Sequence, residues 1–184
     1  YDTSGSLVWG QQINSGGWDT PKNVSVDNAG NLYLVGHTTG SLDGTAAGSA
    51  DVFVRKYDTD GNLIWGTQFG SDKADRGYDV TANAAGEVYV VGSTSGDLAG
   101  ISNPGAPSRS GGFLTKLNSN GAILWTELLA TDQNDNLYSV NLDSAENVVM
   151  AGETIGDLNG QTGAGVQDML LAKYDASGSE IWTQ

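Results

Sequence analysis

With 184 residues, 27 glycines, only 3 prolines and no cysteine, the chain has the length for one domain with a buried core, and its composition excludes a disulfide framework, thiolate chemistry and a collagen-like triplet. A formal net charge of −14, from 8 Lys and Arg against 22 Asp and Glu, leaves no clustered basic surface. Nucleic acid is thereby excluded as a partner and anionic membrane surfaces are disfavoured. No apolar run approaches the roughly 20 residues of a membrane helix, so no membrane insertion is expected. The chain opens at Tyr1 with neither an initiator methionine nor a signal peptide, which reads as a mature fragment or a piece of something longer.

From the amino end, the first apolar stretch is 6–13, centred on Trp9, and its surroundings return three times. YDTSGSLVW, YDTDGNLIW, LNSNGAILW and YDASGSEIW are versions of one phrase, and Trp9, Trp65, Trp125 and Trp182 follow one another at 56, 60 and 57 residues. Other columns repeat too, among them Asp19/Asp75/Asp135, Gly36/Gly92/Gly152, Thr38/Thr94/Thr154 and Lys56/Lys116/Lys173. Length differences fall in one stretch, 45–55, 101–115 and 161–172, which marks a surface loop. The second repeat reads as strands over 78–83, 87–94 and 112–117 with a tryptophan strand at 62–69. Each is rich in Val, Tyr, Leu, Ile, Phe or Trp and bounded by Asn, Asp or Gly. NAAGE and DTDGN are tight hairpin turns, in which Asp or Asn seeds an Asx turn and Gly supplies positive φ.

No apolar stripe of helical period occurs. Four antiparallel strands recurring every 56–60 residues are the blade of a β-propeller. WD40 blades are excluded by their missing signature, kelch blades by the absence of recurring paired glycines, and a solenoid by the long period. The expected fold is all-β, with about thirteen strands: an extra strand at about 6–13, blade one at about 22–69, blade two at about 78–129 and blade three at about 138–184. Propellers usually close with 4–8 blades, so three blades predict an excerpt of a larger array or one closed by oligomerisation.

The phrase DVFVRKYDTDGNLIWGTQFGSDKADRGYDVTANAAGEVYVVGSTSGDL resembles the bacterial SBBP β-propeller repeat family. Its elements are an aromatic-Val-x-Lys strand, an Asp-x-x-Gly turn, a tryptophan strand, an Asp-containing loop and Gly-x-Val-Tyr-Val-x-Gly-x-Thr. The resemblance covers the whole chain and departs in repeat three, where Glu146 replaces the turn glycine and Val149 the strand tyrosine. It implies an exported or cell-surface bacterial protein, often of many repeats, with a proposed seven-bladed closure. It implies no particular reaction.

Candidate functional residues are few. His37 is the only histidine, and its column holds Ser93 and Glu153 elsewhere. With no nucleophile-elbow pattern it reads as an exposed side chain at a strand end. With one histidine and no cysteine, zinc, haem and iron–sulfur sites lack ligands. The repeated tryptophans read as packing residues; Trp18, without a counterpart, is a candidate ligand contact. Asp58 and Asp60, in DTDGN, place oxygens as the opening of a calcium loop does, but the bidentate Glu is missing, so an Asx turn explains them. Asp19, Asp75 and Asp135 read as lying in the loops between blades, where capping of backbone N–H groups competes with ligand or calcium binding. GSLDG, GDLAG and GDLNG read as turns on the same rim. Calcium is thus the one cofactor the acidic loops would suit. The resulting expectation is a non-catalytic scaffold or binding module for a protein, a glycan or copies of itself. The alternatives are a fragment of a propeller hydrolase or lyase and a calcium-binding adhesion module. Blade-specific polar residues converging on the channel would favour an enzyme, and none is evident in the repeats.

Overall fold

The computed structural model describes residues 1–158, 160, 162–163 and 166–184. Among them lie twelve strands and no helix, grouped into three separate four-stranded antiparallel sheets. Blade one holds β1 (Asp19–Val26), β2 (Leu32–Thr38), β3 (Asp51–Tyr57) and β4 (Leu63–Phe69). Blade two holds β5 (Asp75–Ala82), β6 (Val88–Thr94), β7 (Gly111–Leu117) and β8 (Ile123–Leu129). Blade three holds β9 (Asp135–Leu142), β10 (Val148–Thr154), β11 (Asp168–Tyr174) and β12 (Glu180–Thr183). Within each sheet the strands pair in sequence order, as hairpins with Asp- or Asn-seeded turns dictate.

Two expectations are corrected here. Residues 6–13 form no strand. Each tryptophan strand pairs with the lysine-bearing strand before it (Lys56 with Trp65, Lys116 with Trp125, Lys173 with Trp182), and among the described residues no lysine-bearing strand offers 6–13 a ladder. Trp9 nevertheless packs as its counterparts do. A methyl group on Gly61 would lie 2.6 Å from the Trp9 ring, as one on Gly121 would lie 2.7 Å from Trp65 and one on Gly178 3.2 Å from Trp125. The tryptophan column is therefore an inter-blade contact, each indole resting on the turn glycine of the following blade. The second correction concerns Asp19, Asp75 and Asp135, which open β1, β5 and β9 rather than lying in the loops.

The core lies between the blades. One cluster joins blades one and two through Tyr33, Val35, Val52 and Val54 on one side and Val80, Val90 and Phe113 on the other. A second joins blades two and three through Tyr89, Val91 and Leu114 against Leu137, Met150 and Leu170. Blade two is covered on both faces, and β6 and β7 are buried throughout. Burying each such side chain contributes about 1.5–3 kcal/mol, so truncating Phe113 at this junction would cost about 3–5 kcal/mol.

Each first strand carries a β-bulge. The register shifts between Pro21 and Asn23, between Gly77 and Asp79, and opposite Ala151 and Gly152, leaving Lys22, Tyr78 and Tyr138 unpaired. The bulge explains the repeated glycine column: a Cβ on Gly36, Gly92 or Gly152 would meet the carbonyl oxygen of Thr20, Arg76 or Asn136 at 2.2, 1.9 and 2.0 Å. Only glycine lets the second strand pass beneath the bulged one.

Candidate functional site

Between blades, β5 packs against β1, β2 and β3, and β9 packs against β5, β6 and β7. The first strands, each an edge of its own sheet, thus follow one another along one side of the array. Asp79 clasps them together: Oδ1 accepts from Asn23 Nδ2 of blade one, while Oδ2 accepts from Ser139 Oγ at 3.1 Å and Val140 N at 2.9 Å of blade three. Beside this clasp the bulges turn Lys22, Tyr78 and Tyr138 out of their ladders and toward one another. Lys22 Nζ lies 6.0 Å from the Tyr78 ring centroid, and the Tyr78 and Tyr138 rings lie 5.4 Å apart at 52°. The three blades thus contribute one continuous strip, cationic at one end and aromatic along the rest.

The strip is flanked by the ends of the second strands. Ser93 Oγ donates to Tyr78 Oη at 3.2 Å. Glu153 accepts from Tyr138 Oη at 2.5 Å, from Asn136 Nδ2 at 3.0 Å and from Gln167 Nε2. Burial, with that acceptor beside it, pushes the Tyr138 hydroxyl well above the ordinary phenol range. Here the strip meets a cavity of about 340 Å³ lined by Tyr138, Glu153, Gln167 and Met169.

His37 belongs to the cationic end. It is half-buried rather than an exposed strand end, because alternate residues of β2 turn toward blade two. Burial first, then the charges of Lys22 and Arg76, push its pKa down to about 4. The ring is neutral near pH 7, and its buried Nδ1 has no hydrogen-bond partner among the described residues. Lys22 and Arg76, like Lys56 and Arg109, form no ion pair among the described residues, whereas Arg55, Lys73, Lys116 and Lys173 each contact a carboxylate. Lys22 and Arg76 both act on the one histidine of a chain of net charge −14. Neither Lys22 nor Arg76 was singled out by the sequence, because column alignment shows Lys22/Tyr78/Tyr138 and Thr20/Arg76/Asn136 merely as positions that vary. The signal available was that variation, set beside columns that do not vary.

The aspartates singled out by sequence are occupied by their own backbone. Asp19 accepts from Ser15 N at 2.9 Å and Thr38 Oγ1 at 2.6 Å. Asp135 accepts from Thr131 N at 2.5 Å, Thr131 Oγ1 at 2.9 Å and Thr154 Oγ1 at 2.5 Å. Asp75 accepts from Ser71 N at 2.6 Å and Ser71 Oγ at 2.9 Å, both on Oδ2. They cap the connection between blades. Hydrogen bonds hold the Asp19 carboxyl below its ordinary range, although its partial burial pulls the other way. At Asp75, burial together with the neighbouring Asp51 carboxylate pushes it above that range. Asp58 accepts from Asp60 N at 2.9 Å, Asn62 N at 2.8 Å and Asn62 Nδ2 at 2.9 Å, which is an Asx turn, and Asp60 is exposed. Among the described residues no three His, Asp or Glu side chains gather as a metal ligand set. Trp18 is 84% exposed just before β1, apart from the strip. In GDLNG, Asn159 lies outside the described residues.

Among the described residues no helix is long and apolar enough to cross a membrane. The chain is 26% identical over 165 residues to the Regulatory protein FlaEY of Caulobacter vibrioides, an alignment covering 82% of this chain and 17% of that protein. The chain thus spans less than a fifth of that relative's length. Residues 8–43 match the SBBP family, a beta-propeller repeat. The windows beginning at Ile64 and Leu124 carry the same phrases and build the same sheets, so the chain repeats three times the segment that resembles this family.

Proposed function

We propose that the chain is a non-catalytic binding module of an exported bacterial protein, and that the strip along the first strands is the surface it presents to a protein partner. One observation carries this reading: the bulges of three successive blades free Lys22, Tyr78 and Tyr138 from their ladders and set them in one strip. Tyrosine and arginine are among the side chains that anchor protein contacts, tyrosine because its large ring is ordered at little entropic cost. The regulatory name of the similar Caulobacter protein agrees with a protein-contacting role. The hydrolase or lyase reading has less support, because among the described residues the buried His37 Nδ1 has no hydrogen-bond partner, hence no orienting acid there. The calcium reading also has less, since Asp58 already places both oxygens on its own turn.

The test is site-specific photocrosslinking in the host, from a benzoylphenylalanine at Tyr138 or, as control, at Thr59 in a distant hairpin turn. A single adduct of defined mass from the strip position alone is expected. Adducts equal at both positions, or none at either, would overturn the proposal.

A further inference from the structure

The cationic end of the strip lies where blade one meets blade two, and the backbone fixes which side chains stand there. A Cβ on Gly77 would lie 2.6 Å from Val35 Cγ2 and 3.1 Å from Gly36 O, so β5 rests on β2 at the residues just before His37. Arg76 and Tyr78 flank Gly77, and Lys22, freed by the bulge of β1, reaches over the Tyr78 ring at 6.0 Å. In blade three the columns of Arg76, Lys22 and His37 hold Asn136, Tyr138 and Glu153. Those three satisfy one another, because Glu153 accepts from both Asn136 Nδ2 and Tyr138 Oη. Between blades one and two the same columns hold donors and no acceptor.

The donors there are not answered from within the chain. Arg55 makes two hydrogen bonds to Asp43, and Arg109 is exposed. Arg76 is half-buried, and its guanidinium makes no hydrogen bond among the described residues. Asp79, three residues along β5, is already engaged: Oδ1 accepts from Asn23 Nδ2 and Val80 N, and Oδ2 accepts from Ser139 Oγ and Val140 N. His37 adds one more donor. Its Nδ1 is buried without a partner among the described residues, and an orphaned N–H is costlier to bury than an orphaned lone pair, which assigns the ring proton to Nε2. That nitrogen is not buried and makes no hydrogen bond among the described residues.

We propose that this junction binds a peptide carboxylate, that of an Asp or Glu side chain, held by the Arg76 guanidinium with Lys22 Nζ and His37 Nε2 as further donors. The inference rests on the reading of the strip as a protein-contacting surface, and it names what the partner brings to one end of it. The planar fork of arginine matches a carboxylate through two parallel bonds, each about twice as strong as a neutral one. The Tyr78 and Tyr138 rings continue from the same point, so an acid followed by an apolar residue fits better than a bare inorganic anion. The net charge of −14 repels anions at a distance, but at about 0.15 M salt that field is screened beyond about 8 Å and contact decides.

His37 is the only histidine, so its ring signals in proton–nitrogen NMR spectra of the 184-residue chain identify themselves. The probe is N-acetylglutamyl-phenylalanine amide, added at pH 7 and constant ionic strength. A saturable shift of the His37 ring signals is expected, half-complete at about 1–10 mM. The bound carboxylate offsets both cations, so the His37 pKa should rise from about 4. Arg76→Gln should weaken binding on the order of tenfold, and the exposed Lys22→Gln about threefold, with melting unchanged. The glutaminyl form of the peptide should shift nothing, and inorganic phosphate should bind more weakly than the glutamyl peptide. No saturable shift at about 50 mM, an equal shift with the glutaminyl peptide, phosphate binding as tight, or affinity that both variants leave unchanged would overturn the proposal. Glutamyl peptide bound by a chain that gives no crosslink in the host would refute the reading of the strip and uphold the carboxylate site.

Discussion

Asp75 and Asp135 occupy one column, cap equivalent connections and are both fully buried, yet replacing each by asparagine should have different consequences. At Asp135 both oxygens are engaged, Oδ2 by Thr131 and Oδ1 by Thr154 Oγ1. An amide there turns its nitrogen toward Thr154 Oγ1, whose proton must then go to Gly156 O at 3.1 Å, and losing the short charge-assisted bonds to a buried carboxylate costs about 1.5–3 kcal/mol. At Asp75 both donors sit on Oδ2; Thr94 Oγ1 lies near enough to favour the ionised carboxyl but aims its proton at Gly96 O at 3.0 Å, so among the described residues Oδ1 accepts no well-formed bond. The amide oxygen of Asp75→Asn can keep both donors, while loss of the charge relieves burial and the repulsion of Asp51. Its cost should stay below about 1 kcal/mol at pH 7. With a urea dependence of about 2 kcal/mol per M, the two variants should differ in unfolding midpoint by about 1 M.

The pH dependence carries a sign. A carboxyl whose folded pKa is raised destabilises the fold when ionised, so the wild type gains stability as pH falls through that folded value. Asp75→Asn lacks this gain, and its deficit should grow on acidification. Asp19, held low in the fold, behaves oppositely: its contribution is present above the unfolded pKa and lost as pH falls through the folded one, so the cost of Asp19→Asn should fade in acid. Urea titrations followed by tryptophan fluorescence would read both effects. Equal losses for Asp75→Asn and Asp135→Asn at pH 7 would refute the reasoning.

Glu146 replaces a turn glycine at φ 61°, so Glu146→Gly should raise stability by about 0.5–1 kcal/mol despite the lost contact with Asn83 Nδ2 at 3.1 Å, and calorimetry would show a higher Tm. Lys116 is buried between Glu87 at 2.9 Å, the Tyr89 ring at 5.3 Å and Ala176 O at 3.1 Å. Lys116→Met should cost about 2–3 kcal/mol, against less than about 1 kcal/mol for Lys173→Met in its partly exposed pair with Asp143. With His37 pushed down to about 4 from 6.5, the unfolded chain binds more protons in that window, so stability falls as pH drops from 6.5 to 4. His37→Gln should flatten that slope in pH-dependent denaturation.

What the sequence revealed was what three copies hold in common. The tryptophan period located the outer strands, the Asp-x-x-Gly phrases located the hairpins, and Gly36, Gly92 and Gly152 announced a close approach that proves to be a bulge carbonyl. What it concealed were features that depend on neighbours. The stretch around Trp9 has a strand's sequence but, among the described residues, no adjacent strand to bond. His37 looked exposed because its place in β2 does not show that blade two covers that face. Lys22, Tyr78 and Tyr138 looked like unrelated variation until the bulges set them within 6.0 Å of one another in turn. The aspartates drew attention by repeating, and they repeat because every blade junction needs the same cap.

The claim beneath all of these is that the three sheets form one stacked array, with blade two covered on both faces. Amide hydrogen exchange resolved by strand tests it most directly, because protection follows local burial and packing. The slowest amides should lie in β6 and β7, with intermediate rates in β2, β3, β10 and β11, and fast exchange in residues 1–13. Equal protection in all three sheets, or a middle sheet that exchanges as fast as the outer two, would contradict the stacked arrangement.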